Sequence, residues 1–195
     1  MSGCLVESSD PAPRRLLAVR HAPTLADGLC VGDAEVACAL SAEQSAEQML
    51  DVVGGVPFAC VWSSPLARCL APARLLAERL DLPLRIDERL RELSHGAWQG
   101  RSWSQIEATD PARYKFWLVN WIDGAAPGGE STMQLLQRVR AWWKELSADG
   151  NLLVAHAGVI RALHVLVYGA SWEDAMGMPI PHLQGQWFGP VKSAR

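Results

Sequence analysis

Leu16-Leu17-Ala18-Val19-Arg20-His21 decides how this chain is read: four apolar residues run directly into an arginine and a histidine. A short unbroken apolar run suits a strand buried on both faces, as in a parallel sheet. We read residues 15–20 as that strand. Its carboxyl end, where Arg20 and His21 stand, is the edge at which open α/β sheets hold their ligands. A second stretch repeats the design. Asn151-Leu152-Leu153-Val154-Ala155 is another such run, and it leads into His156, then Ala157-Gly158 and a helical pattern. Two strand-end histidines, one beside an arginine, point to a site for an anionic group.

The sequence between these runs alternates helix and strand signals. Ser41-Ala42-Glu43-Gln44 is a capping box that opens a helix to about residue 53. Residues 58–62 read as a buried strand. Ser64-Pro65 then reads as an N-cap and a first-turn proline, with a helix to about residue 80 that Pro72 should kink. A short strand over 84–87 is followed by a charged, glycine-punctuated loop over 89–100. Ser102-Trp103-Ser104-Gln105 repeats the capping-box pattern, and 111–121 offers another helix. The periodicity predicts an amphipathic helix over 130–146, with Leu135, Leu136, Val139 and Trp142 or Trp143 on its apolar side. A helix over 159–168 and a last strand over 186–188 complete the pattern. Such alternation predicts a three-layer α/β/α sandwich around a mostly parallel sheet. Residues 1–14, polar and proline-containing, read as a flexible leader, and 15–195 as one domain.

Composition narrows the function classes. The chain has 195 residues, 49% hydrophobic and 20% charged, ordinary for a soluble domain with a full core. A formal net charge of -3 supplies no global field toward nucleic acid or an anionic membrane, so neither partner is expected and any anion site must be local. No apolar run is long enough to span a bilayer, and the first fifteen residues lack the pattern of a secretory signal. The cysteines, Cys4, Cys30, Cys38, Cys60 and Cys69, are odd in number and lack C-x-x-C spacing. That argues against a disulfide framework or a zinc site, and for a reducing, cytoplasmic compartment. Pattern alone does not separate an exposed apolar stripe from core, so the oligomeric state stays open.

A phosphate site needs several donors converging on one dianion, and the planar, permanently charged arginine fork suits it. Arg20 ends the first strand. Arg68 falls in the first turn of the helix after the second strand, at the same edge. His156 ends a third strand there, and the helix beginning near Gly158 adds its amides and positive dipole end.

These residues carry a resemblance. Arg20-His21, Ser63-Ser64-Pro65-Leu66-Ala67-Arg68, Leu90-Arg91-Glu92 with Gly96-Ala97-Trp98-Gln99-Gly100, and His156-Ala157-Gly158-Val159-Ile160-Arg161-Ala162-Leu163 occur in the order of the histidine phosphatase superfamily, also called phosphoglycerate mutase-like. The likeness runs from about residue 15 to 168. It implies a phosphomonoester hydrolase acting through a phosphohistidine. His21 would be the nucleophile, Glu92, protonated at the start, the general acid, and Arg20, Arg68 and His156 the phosphate ligands, with no metal or other cofactor. Residues 95–130 would form a cap over the site. Gly28-Leu29-Cys30-Val31-Gly32, Leu90-Arg91-Glu92 and Pro127-Gly128-Gly129-Glu130-Ser131 resemble the α-ribazole-5′-phosphate phosphatase branch of that family. The substrate expected is that ester or another small phosphorylated metabolite.

Two other readings share the same residues: a phosphoglycerate mutase-type phosphoryl transfer, and a catalytically silent phospho-ligand binder. Where the family has glycine after Arg-His, this chain has Ala22, which would be strained if that position needs a left-handed backbone. Trp98, Trp117 and Trp121 are candidate pocket walls for a ring-bearing substrate. His95 reads as pocket wall or packed residue, and His164 and His182 as structural.

Overall fold

The structure, a computed structural model, describes residues 14–146 and 150–189. Its centre is a five-stranded sheet in the order β3-β2-β4-β1-β5. The strands are β1 (Leu16–Arg20), β2 (Cys60–Ser63), β3 (Leu84–Ile86), β4 (Asn151–Ala155) and β5 (Gly185–Phe188). The first four pair in parallel, and β5 joins the edge beside β1 antiparallel.

Period-two alternation builds the layers. Leu16 and Ala18 of β1, Trp62 of β2 and Leu153 and Ala155 of β4 face one side. There they bury α5 (Thr132–Glu145), α6 (Ala157–Tyr168) and α7 (Trp172–Gly177). Leu17, Val19, Val61, Leu152 and Val154 face the other side and cover α1 (Ala42–Val53) and α2 (Ala67–Arg79). The result is the α/β/α sandwich that the alternation predicts.

Local signals set most boundaries. Ser41, Ser102 and Ser131 each cap a helix as a full capping box with the glutamine three residues on. Each such cap contributes about 1 kcal/mol. The third was not anticipated, and it starts α5 two residues later than the periodicity suggests. On α5 the apolar face carries Leu135, Leu136, Val139 and Trp142; Trp142 is fully buried and Trp143 only partly. Helix α2 runs through Pro72 as one element.

Three expectations need correction. Ser64 and Pro65 do not start α2: its N-cap is Leu66, with no side-chain cap. The Ser64 hydroxyl is held instead by His156 Nε2 at 2.8 Å and by the Leu66 amide at 3.3 Å, which fixes it at the strand end. Helix α6 begins at Ala157, not 159, directly after the strand-end histidine. Helix α7, six residues capped by Ser171, was missing from the reading because it is shorter than two helical turns.

Residues 95–130 contain the 3-10 turn Gly96–Trp98, α3 (Trp103–Thr109) and α4 (Pro111–Asn120). They pack around a small core of their own, in which Cys30, Trp98, Ile106 and Ala126 are buried against Trp103, Tyr114 and Trp117. The leader expected over 1–14 lies outside the described residues except for Arg14. The Arg14 guanidinium donates to the carbonyls of Leu146 and Lys144.

Candidate active site

Parallel pairing of β1 with β4 places Arg20 opposite Ala155, and the His21 amide donates to the Ala155 carbonyl at 3.0 Å. The two strand-end histidines therefore meet. Their ring centroids are 5.1 Å apart, edge to face. On the far side of β4, β2 brings Ser64 level with them, its amide bonded to the Val154 carbonyl at 3.2 Å. Above this edge opens a cleft of about 940 Å³. Arg20, His21, Arg68, Glu92, Trp117 and Trp121 all line it.

His21 is buried and its tautomer is dictated locally. Nδ1 lies 2.6 Å from the Ala22 carbonyl, which can only accept, so Nδ1 carries the proton and Nε2 keeps its lone pair. Burial pushes the imidazole down to about 3, with Arg68, Arg20 and His182 adding to the effect and the Ala22 bond opposing it. The ring is thus neutral at physiological pH, with Nε2 free of a proton. Ala22 carries no strain. Among the described residues other than glycine, only Asp81 and Leu183 have a left-handed φ. The Ala22 methyl is buried in the core cluster shared with α1 and α2.

Arg68 is 5% exposed and spends its donors on the frame of the site. Nη1 donates to the Ala34 carbonyl at 2.6 Å, Nη2 to the Gly32 carbonyl at 2.8 Å, and Nε to His156 Nδ1 at 3.3 Å. It ties the long loop after β1 to the sheet edge. Gly32 has φ +54, and a Cβ there would overlap the Gln99 side chain and the Leu93 carbonyl.

His156 follows β4 directly. It is fully buried, and both ring nitrogens are occupied: Nδ1 accepts from Arg68, so the proton sits on Nε2 and is donated to Ser64 Oγ. Burial, then Arg68 and His21, hold its basicity well below the usual range. It stands edge-on to His21 and links Arg68 to Ser64.

Glu92 enters from the loop after β3. One oxygen accepts the Leu93 amide at 3.0 Å, and both accept the Gly158 amide, at 3.1 and 3.2 Å. The approach depends on Gly158, because a Cβ there would overlap Glu92 Oε1. Arg138 of α5 holds the preceding backbone, donating to the carbonyls of Arg89, Arg91 and Glu92 while paired with Glu130. Arg89 and Arg91 turn to Asp87, Glu145 and Asp33.

Of the three candidate tryptophans, Trp117 and Trp121 line the cleft and Trp98 does not. Trp98 is 1% exposed and sits at the centre of the small core, edge-on to Tyr114 and Trp117. The wall position is taken by Trp103, stacked on Trp117 with centroids 5.6 Å apart. His95 lines the cleft as expected, edge-on to both rings.

Arg161 and His182 also line the cleft, and neither is among the site residues expected from the sequence. Arg161 lies one turn into α6 from Gly158, a spacing that could have found it. Burial lowers both Arg161 and Arg20, and Glu92 opposes this in each. His182, expected to be structural, reaches the site from the loop before β5, and no local pattern marks it. Among the described residues no group of three or more His, Cys, Asp or Glu side chains is placed to hold a metal ion.

Comparison with known proteins gives the chain its relatives. The adenosylcobalamin/alpha-ribazole phosphatase of Escherichia coli K12 is 30% identical over 179 residues, 89% of this chain and 87% of that one. A glucosyl-3-phosphoglycerate phosphatase of Mycobacterium tuberculosis is 31% identical, over 89% of this chain and 86% of that one. The crystal structure of the alpha-ribazole phosphatase from Shigella flexneri superimposes with a TM-score of 0.80 at 27% identity, covering 91% of this chain and 94% of that one. With a family profile matched over residues 16–186, the chain belongs to the histidine phosphatase superfamily (branch 1).

Proposed function

We propose that the cleft hydrolyses small phosphomonoesters in two steps through a phosphohistidine on His21. The observation that carries this is the tautomer of His21. Its Nδ1–H is fixed on the Ala22 carbonyl at 2.6 Å, which leaves Nε2 as a lone pair beside Arg20 and Arg68. In the first step Nε2 bonds to phosphorus as the ester P–O bond breaks, and Glu92 delivers a proton to the leaving oxygen. In the second, water attacks phosphorus, the N–P bond breaks and Glu92 recovers the proton. Arg20, Arg68 and Arg161 bear the charge on the non-bridging oxygens. His156 supports the floor through Arg68, and comes into contact with phosphate only if the Ser64 bond opens.

The organic part of the ester would lie along Trp103, Trp117 and Trp121, under a cap made by residues 95–130. Such a wall suits a ring-bearing metabolite, and α-ribazole-5′-phosphate is the first candidate. The names of the similar phosphatases support this class, and the reading is of a cytoplasmic enzyme. Among the described residues no helix is long and apolar enough to cross a membrane.

The test is phosphate release by wild-type and His21→Ala protein on α-ribazole-5′-phosphate, 3-phosphoglycerate, nucleoside monophosphates and p-nitrophenyl phosphate. Release by the wild type that vanishes in the variant is expected. Isomerised 3-phosphoglycerate would favour a mutase, and tight binding without turnover a silent binder.

A further inference from the structure

We propose that His182 is a positioning residue for the His21 nucleophile, acting through its Nδ1–H bond to the His21 backbone carbonyl. This rests on the phosphohistidine reading of His21.

Three residues of the segment from Ile180 to Leu183 are bonded to the end of β1. Arg20 Nη1 donates to the Ile180 carbonyl at 2.7 Å, and the Leu183 amide donates to the Arg20 carbonyl at 2.9 Å. Between them His182 Nδ1 donates to the His21 carbonyl at 2.6 Å. The carbonyl can only accept, so the proton is on Nδ1 and the His182 Nε2 is left with a lone pair. The His182 ring also stands edge-on to the His21 ring, centroids 5.4 Å apart. His156 contacts the same ring at 5.1 Å, so two imidazoles restrain the third.

The backbone is strained where this contact is made. Leu183 has φ +55, and leucine gains nothing locally from a left-handed conformation. That conformation turns the chain so that the Leu183 amide reaches Arg20 while His182 faces His21. The turn is held beside His21, with the Leu183 side chain packed in the core shared with α1 and α2. His21 has no second covalent anchor, and an error of about 1 Å in a reacting group can cost about 100-fold in rate.

The two ring nitrogens can be tested separately. Asparagine places an amide N–H near Nδ1, whereas glutamine reaches the position of Nε2. We would measure kcat, KM and single-turnover phosphohistidine accumulation for wild type, His21→Ala, and His182→Asn, His182→Gln and His182→Ala. The expected result is His182→Asn within about threefold of wild-type kcat. His182→Gln and His182→Ala should both fall about 10- to 100-fold, with KM little changed and phosphohistidine formed more slowly. Thermal unfolding checks each variant, and if His182→Ala does not fold the Asn and Gln pair carries the comparison. Wild-type kcat in His182→Ala would overturn the proposal. So would rescue by Gln and not Asn, equal failure of Asn and Gln, or a loss carried by KM. A wild type no faster than His21→Ala would remove the phosphohistidine reading, and the positioning role with it, a result no His182 variant can imitate.

Discussion

The floor of the cleft and its aromatic wall are built on opposite principles. On the floor, His21, Ser64, Arg68 and His156 are buried, and their hydrogen bonds run among themselves and to fixed backbone. The wall draws Trp103 from α3, Trp117 from α4 and Trp121 from just after it; no residue of α4 is buried, and Phe116 is 63% and Val119 81% exposed. Trp103 and Trp117 stack on each other over the small core, and Trp121 packs edge-on to Trp172 against the main one. A buried polar network is costly to disturb, because each group left unpaired loses its partner without regaining water. The wall's contacts are apolar, so a ring that shifts leaves no polar group unpaired. The difference teaches how the proposed function would divide: the floor would fix how phosphorus is handled, and the wall which organic group is accepted.

The hardest test of that division is Arg68→Ala. It should lower kcat about 10²- to 10³-fold, the scale of losing a charge-stabilising donor. It should also lower the melting temperature, since Ala34 O, Gly32 O and His156 Nδ1 lose their donor together. A stable Arg68→Ala protein would show that the floor is not one network.

A second test is titration of the His21 ring by NMR. With its basicity pushed down to about 3, the ring should remain neutral at pH 5. An imidazole at the ordinary value would already be about 30-fold depleted in the neutral form there. The stability linkage has a definite sign. The unfolded chain binds a proton at this position as pH falls through about 6.5 and the folded chain does not, so folding stability from this group is lost from about 6.5 downward. An inflection near 6.5 in the folded protein would break the account of the floor as a desolvated site.

Gly158→Ala comes next. The methyl would displace the Glu92 carboxyl from the start of α6, and kcat should fall about 10- to 100-fold with KM little changed. Unchanged kcat would separate Glu92 from the proton transfer.

Trp117→Ala should have the smallest effect. It removes a ring that stacks on Trp103 and Tyr114, and should change the preference for α-ribazole-5′-phosphate over 3-phosphoglycerate by about 2- to 10-fold, the scale of one aromatic contact. The thermal midpoint should move less than in Arg68→Ala. Equal losses on both esters would return the wall to a structural role.

The sequence by itself determined the sheet and most of the floor. Buried strands need continuous apolar runs, and phosphate chemistry at their carboxyl ends needs arginine and histidine just beyond, so Arg20-His21 and Val154-Ala155-His156 were legible as one edge. Capping boxes at Ser41 and Ser102 were legible because their bonds span three residues. Only the tertiary structure decided the rest. Trp98 and Trp103 fall in one short stretch of similar composition, yet one became core and the other wall, because Cys30, Ile106 and Ala126 close around the first. Ser64 looked like a helix cap and became a partner of His156, 92 residues away. His182 looked like a loop residue and met His21 across 161. Local bonds leave a periodic or spaced trace in the chain. Contacts across layers depend on how the layers pack, and the sequence holds no local record of them.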